Sequence, residues 1–202
     1  MTCSNIKSYP KPEELTLPAF WSAKNEKDDI VLAWQMRNRR FDTSAVIAVA
    51  KRCGHGFPQV IVSSPVSKNG SPFPTLFWLT CPFLDRRCGE LESEHMIAEL
   101  EKLFVQIPAQ VQKMHRDYAA LRLCAAAKAV PSFDETKIRE TVLTLGVGGI
   151  DTRSAPNAVK CLHLQTATLL GMGEHPAEQW LIRKLGPLEC EAGKCSAALQ
   201  TG

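Results

Sequence analysis

The sequence predicts an α+β fold, a small antiparallel sheet near the N-terminal side packed by several C-terminal helices. Three observations carry that prediction. Two β-branched runs, Ala45 to Ala50 and Gln59 to Val62, flank a turn that contains Gly54, Gly56 and Pro58, which is the pattern of a hairpin. A third apolar run, Thr75 to Leu79, follows a loop rich in Gly, Ser and Pro and is long enough to pair with them. From Pro82 onward the apolar residues recur at helical spacing, and no internal repeat is found.

At 202 residues the chain suits one domain with a sizeable core. Residues 1–27, rich in proline and charge, read as an extended N-terminal arm, 28–190 as a single α+β domain and 191–202 as an irregular tail. The hydrophobic fraction of 45% and charged fraction of 22% are ordinary for a globular chain, which argues against disorder and fibrous repeats. A net charge of +3, from 24 basic and 21 acidic side chains, lacks the strong basic footprint of a dedicated nucleic-acid binder. There is no membrane-length apolar run, and the first residues lack the basic-then-apolar order of a secretory signal, so a cytoplasmic location is expected. Thiols are kept reduced there, and the eight cysteines are read as core filler, metal ligands or reactive groups rather than disulfides.

Along the chain, Asp28 or Asp29 is expected to cap a short helix through Ile30, Val31, Trp34 and Met36, which ends in the basic residues Arg37, Arg39 and Arg40. After the three strands, Leu84, Leu91, Ile97, Leu100 and Phe104 mark helical structure, and a further helix spans about Ala109 to Lys128. Asp134 is expected to cap a helix that stops at Gly146, and two more run from about Pro156 to Leu170 and from Pro176 to Leu185. The cluster Gly146, Gly148 and Gly149 lacks the lysine of a phosphate-binding loop and reads as a helix stop and hinge.

Cys81 stands where the third strand hands over to a helix, and a helix N-terminus is expected to lower a thiol pKa and supply thiolate. The structural alternative is a small buried apolar side chain. Cys53 lies in a glycine-bearing turn with His55, where Cys-x-His could chelate, although a solvent-facing His55 fits as well. Cys161 and His163 are two apart in an expected helix and so point to nearly opposite sides, which disfavours one ion taking both. Lys160 and His163, three apart, would share a face suited to an anion or a polar substrate group. Cys190 is a better candidate than Cys195 within the tail; Cys88 and Cys124 read as packing residues, and Cys3 belongs to the arm. The intervals between these cysteines are too long for a zinc-finger signature.

The segments Lys51 to Val60, Gly70 to Pro82 with its Thr80-Cys81-Pro82 step, and Val159 to His163 resemble those of a bacterial family catalogued only as domain of unknown function 501. The likeness runs in order from about Asp28 to Cys190, with departures at Gly54 and over Pro131 to Val142. It implies that Cys53, Cys81, Cys161 and His163 are hallmark positions, and it implies no activity.

The leading expectation is that Cys53, Cys81 and Cys161 converge as thiolate ligands of an iron–sulfur cluster or a zinc ion, with Cys190 as fourth ligand and Lys160 and His163 orienting a small-molecule substrate. One rival is a metal-free thiol enzyme with Cys81 as nucleophile and His163 as base. A second is a module that binds nucleic acid or protein, with structural cysteines and with Arg37, Arg39, Arg40, Lys51 and Arg52 contacting an acidic partner.

Overall fold

A computed structural model describes residues 17–39, 41–67, 71–129 and 145–200. Three strands, β1 (Val46–Arg52), β2 (Pro58–Ser63) and β3 (Phe77–Leu79), form one antiparallel sheet in the order β1-β2-β3. Val46 pairs with Ser63 and Arg52 with Pro58, while Val60 pairs with Leu79 and Val62 with Phe77. With β2 in the centre, β1 and β3 run in the same direction and end at the same edge of the sheet. Every residue of β2 is buried, so both faces must be covered.

Alternation along β2 divides its side chains between two layers. Ile61 packs with Leu32 and Val46 beneath α1 (Glu26–Gln35), whereas Val60 and Val62 join the main core. That core is built by α2 (Pro82–Ser93), α3 (Met96–Gln106), α4 (Pro108–Ala129), α5 (Leu162–Met172) and α6 (Glu178–Leu185). Helix α5 lies against all three strands, and its residues Leu162 and Leu164 to Gly171 are buried, so it is a helix covered on every side. Among the described residues no helix is long and apolar enough to cross a membrane.

Several boundaries differ from the sequence reading. The first helix starts at Glu26 because Asn25 accepts the N–H groups of Lys27 and Asp28, and Asp28 returns a bond to the Asn25 N–H. Asp28 is thus inside the helix, where it pairs with Arg52. The helical stretch after β3 breaks into α2 and α3 at His95, which adopts left-handed backbone (φ 60°). The helix expected from Pro156 begins only at Leu162, since Cys161 is extended (φ −165°, ψ 158°). Residues 130–144, which hold most of the helix expected from Asp134, lie outside the described residues, as do Cys3 and Arg40.

Both chain-terminal segments touch the core. Ser22 exchanges two hydrogen bonds with Val49 along the outer edge of β1, and Trp21 donates its indole N–H to the Gly171 carbonyl at 2.8 Å. At the other end Cys195 and Ala198, in the short turn of helix Lys194–Leu199, are buried against Val31 of α1. Phe77 stands edge-on to both Trp21 and Tyr118, with ring centroids 5.5 Å apart in each case, and the Tyr118 hydroxyl accepts the Leu76 N–H at 2.7 Å. Buried Arg122 donates to the carbonyls of Leu145 and Gly146, and His115 accepts the Val147 N–H, so the glycine cluster is anchored rather than a free hinge.

Gly171 is where α5 meets the Phe77 ring. A Cβ there would lie 2.5 Å from a ring carbon, inside the van der Waals limit. Removing a glycine from a helix ordinarily gains about 1 kcal/mol, but overpacking a tight core costs about 1–3 kcal/mol, so the clash wins. Gly171→Ala is expected to lower stability, read as a fall in the thermal midpoint followed by circular dichroism; a midpoint equal to or above the parent's contradicts this packing.

Candidate metal and thiol site

The first turn of α5 carries free N–H groups that a buried helix must satisfy locally. Two side chains do so. The Cys161 sulfur, at the helix cap, accepts the Leu164 N–H at 3.4 Å, and Oε1 of Glu92 from α2 accepts the Leu162 N–H at 2.6 Å. The same Glu92 oxygen lies 2.9 Å from Nδ1 of His163. On the other side of the ring, Nε2 faces the Asp85 carbonyl at 3.0 Å and the Asp85 carboxylate at 3.3 Å. Arg39 in turn pairs with Asp85.

One donor atom each from Glu92, Cys161 and His163 lies within 4.8 Å of the other two, and these are the only three such residues grouped this closely among the described residues. The side chains of Glu92 and His163 are each 25% exposed, so the group is reachable from solvent. Both ring nitrogens of His163 face acceptors, an arrangement that suits the doubly protonated ring. The Cys161 sulfur is the main influence raising the His163 pKa to about 9, with Glu92 and Asp85 assisting and burial opposing.

Cys161 and His163 therefore meet despite standing two apart. The rule that such residues point apart holds inside a helix, and Cys161 is outside it, on extended backbone. The same fact separates Lys160 from His163: Lys160 precedes the cap and donates its Nζ to the Gly148 carbonyl at 2.7 Å, so the two do not share a helix face.

The remaining cysteines are elsewhere. No three of Cys53, Cys81, Cys161 and Cys190 bring their sulfurs within 4.8 Å of one another. Cys81 does cap α2, but it is only 6% exposed, and burial pushes its thiol up although the Leu84 and Phe83 backbone N–H groups pull it down. Desolvation outweighs the helix terminus, which reverses the expected thiolate. Cys53 is half-buried after β1, and Cys190 is half-buried with its carbonyl 2.9 Å from Nε2 of His55. Cys88 is buried beside the Thr166 hydroxyl at 3.4 Å, with its thiol pushed up to about 12 by burial. Cys124 is buried in α4. Of the basic residues expected on an acidic partner, Arg39 and Arg52 are paired with Asp85 and Asp28, and Arg37 lies over the Trp34 ring at 4.4 Å.

Glu92 and Asp85 are the site residues that the sequence reading does not pick out. Their seven-residue spacing places them on one face of α2, but their partners are some seventy residues away in sequence.

A family model described as a protein of unknown function, DUF501, matches residues 49–183. No curated protein matches, and no solved structure matches.

The His163 network makes stability depend on pH in the metal-free chain. Its folded pKa of about 9 exceeds the ordinary 6.5, so its contribution is complete below about pH 6.5 and is lost as the pH rises through about 9. At about 1.4 kcal/mol per tenfold change in proton affinity, the contribution is at most ~3.5 kcal/mol. Urea denaturation in the presence of a chelator should show His163→Gln well below the parent at about pH 6, with the gap narrowing at about pH 9.5. A gap independent of pH would assign His163 a packing role only.

Proposed function

The chain belongs to the DUF501 family, whose description names no activity, and from the geometry of the site we propose that it is a metalloprotein holding a zinc-type divalent ion on Cys161, His163 and Glu92. The observation that carries the reading is the convergence of thiol, imidazole and carboxylate within 4.8 Å, next to a histidine whose other ring nitrogen is already held by the Asp85 carbonyl. Metal-ligating histidines ordinarily donate that second N–H to a carbonyl or carboxylate, which fixes the ring and its tautomer. A thiolate, an imidazole and a carboxylate together suit zinc better than calcium or magnesium, which prefer oxygen alone.

Three protein ligands leave a fourth tetrahedral position for water or a substrate atom, the pattern of catalytic rather than structural zinc. An ion there would act as Lewis acid and would lower the pKa of a bound water. Ligand distances of about 2.0–2.3 Å require the donors to stand roughly 3.3 Å or more apart. The 2.9 Å contact between Nδ1 and the Glu92 oxygen must therefore open by a few tenths of an ångström, which the half-exposed carboxylate can do. Binding also displaces the proton on Nδ1, so zinc uptake should release protons near neutral pH.

A metal-free reading has its own support, the Cys161 sulfur within 4.8 Å of a His163 ring nitrogen, which would pair a thiol nucleophile with an imidazole oriented by Glu92.

Competition titration of the chelator-stripped chain with a zinc indicator should give about one tight site per chain, lost in Cys161→Ala and in His163→Ala, and weakened about tenfold or more in Glu92→Gln. A folded parent that binds no zinc, or a Cys161→Ala variant that binds as tightly, rejects the metal reading. Alkylation of Cys161 in the stripped chain at a rate well above that of a free thiol, unaffected by added zinc, would then support the nucleophile pair.

A further inference from the structure

Four other thiols gather at the far end of the sheet, where β1 and β3 both finish beside the start of β2. Cys53 follows β1 directly and donates its N–H to the Phe57 carbonyl at 3.0 Å. Cys81 comes two residues after β3 and donates its N–H to the Gln59 carbonyl at 3.3 Å. The last described segment returns to the same place. Gln59 Nε2 donates to the Leu188 carbonyl at 2.7 Å, and His55 lies on the Cys190 carbonyl. Gln35 Nε2 donates both to the Pro58 carbonyl at 2.9 Å and to the Cys195 sulfur at 3.2 Å. Four cysteines remote in sequence are thereby drawn around Pro58 and Gln59.

They are near enough to act on one another. Burial chiefly raises the Cys81 thiol, and the Cys195 and Cys190 sulfurs raise it further; burial likewise raises Cys195, with Cys53 and Cys190 adding to it. Cys81 and Cys195 are thus costly to leave as free thiolates, and a bound cation stabilises a thiolate. A second observation is polar: Gln59, 1% exposed, leaves Oε1 without a partner, and so does half-buried Gln35. An unsatisfied buried acceptor costs about 1–3 kcal/mol.

The spacing argues against a single ion held by all four. Four thiolates at about 2.3 Å from one zinc would stand roughly 3.8 Å apart, yet no three of these sulfurs fall within 4.8 Å of one another. A polynuclear centre, in which each iron takes one thiolate, spans a wider ring. We propose that Cys53, Cys81, Cys190 and Cys195 ligate an iron–sulfur cluster that fastens the C-terminal segment to the end of the sheet. Cys161 is no part of it, and the centre stands or falls independently of the zinc site. Loading is a ligand exchange: each cysteine thiol passes its proton to a departing small thiolate, its sulfur takes that thiolate's place on iron, and nothing is oxidised or reduced.

The full-length chain, handled anaerobically and mixed with a synthetic tetranuclear iron–sulfur cluster ligated by small thiols, is expected to retain about four irons and four sulfides after desalting, with a broad visible absorption band. Cys190→Ser/Cys195→Ser should lose most of that iron. Its two positions lie in the terminal segment, so the fold is expected to survive, as circular dichroism would verify. Cys161→Ala should keep the iron while losing zinc. Cluster loading should also protect the segment after Gly186 from limited proteolysis in the parent and not in the double variant. A parent that retains no more iron than the double variant, or loss of iron in Cys161→Ala, overturns the proposal.

Discussion

Helix α5 is buried along almost its whole length, so its first turn is where unpaired backbone N–H groups must find partners inside the protein. Glu92 and Cys161 supply them, and this capping requirement organises the site. A carboxylate is favoured at a helix N-terminus by the helix dipole as well as by the hydrogen bond. Capping alone accounts for Glu92 on Leu162. It does not account for the histidine held between Glu92 and Asp85, because a cap needs no imidazole and a core has no use for a half-exposed ion network.

How much of this was legible follows from the range of each interaction. The sheet was readable because its three runs are short, β-branched and separated by turn residues, all of which are local signals. The order of helices was readable from spacing, but their ends were not. Pro156 carries the signature of a helix start, yet the chain stays irregular to Cys161, since Val159 and Leu162 give their N–H groups to Glu101 and Glu92 from other helices. Those tertiary partners leave no mark in the local sequence. That six-residue error mattered for function: it put Cys161 inside a helix, and so turned a correct geometric rule into a wrong separation of Cys161 from His163.

Cys81 is a second case in which a sound rule met a larger opposing effect. Its position at the strand-to-helix step was readable, and the Leu84 and Phe83 backbone groups do pull its thiol down. What the sequence did not reveal was that the step is covered. A helix terminus is worth roughly 0.3–1 kcal/mol to a nearby charge, while taking a charged group out of water costs several kcal/mol. At 6% exposure the cost of desolvation wins and pushes the Cys81 thiol up, which makes it a poor free nucleophile.

The candidate ligand cysteines divide between two places because α2 lies between them. Cys81 caps its first turn, Asp85 donates its N–H to the Cys81 carbonyl, and Glu92 follows two turns later. At 1.5 Å per residue, Glu92 stands roughly 16 Å further along the axis than Cys81. A sulfur that touches Glu92 at one end of the helix cannot also share an ion with the sulfur at the other. Yet the two places are not mechanically separate. Asp85, which orients His163, is bonded to the residue that would ligate iron, and α2 is clamped on α5 through Cys88 and Thr166. Both contacts on that side of the His163 ring, the Asp85 carbonyl and the Asp85 carboxylate, come from the residue whose N–H is bonded to the Cys81 carbonyl.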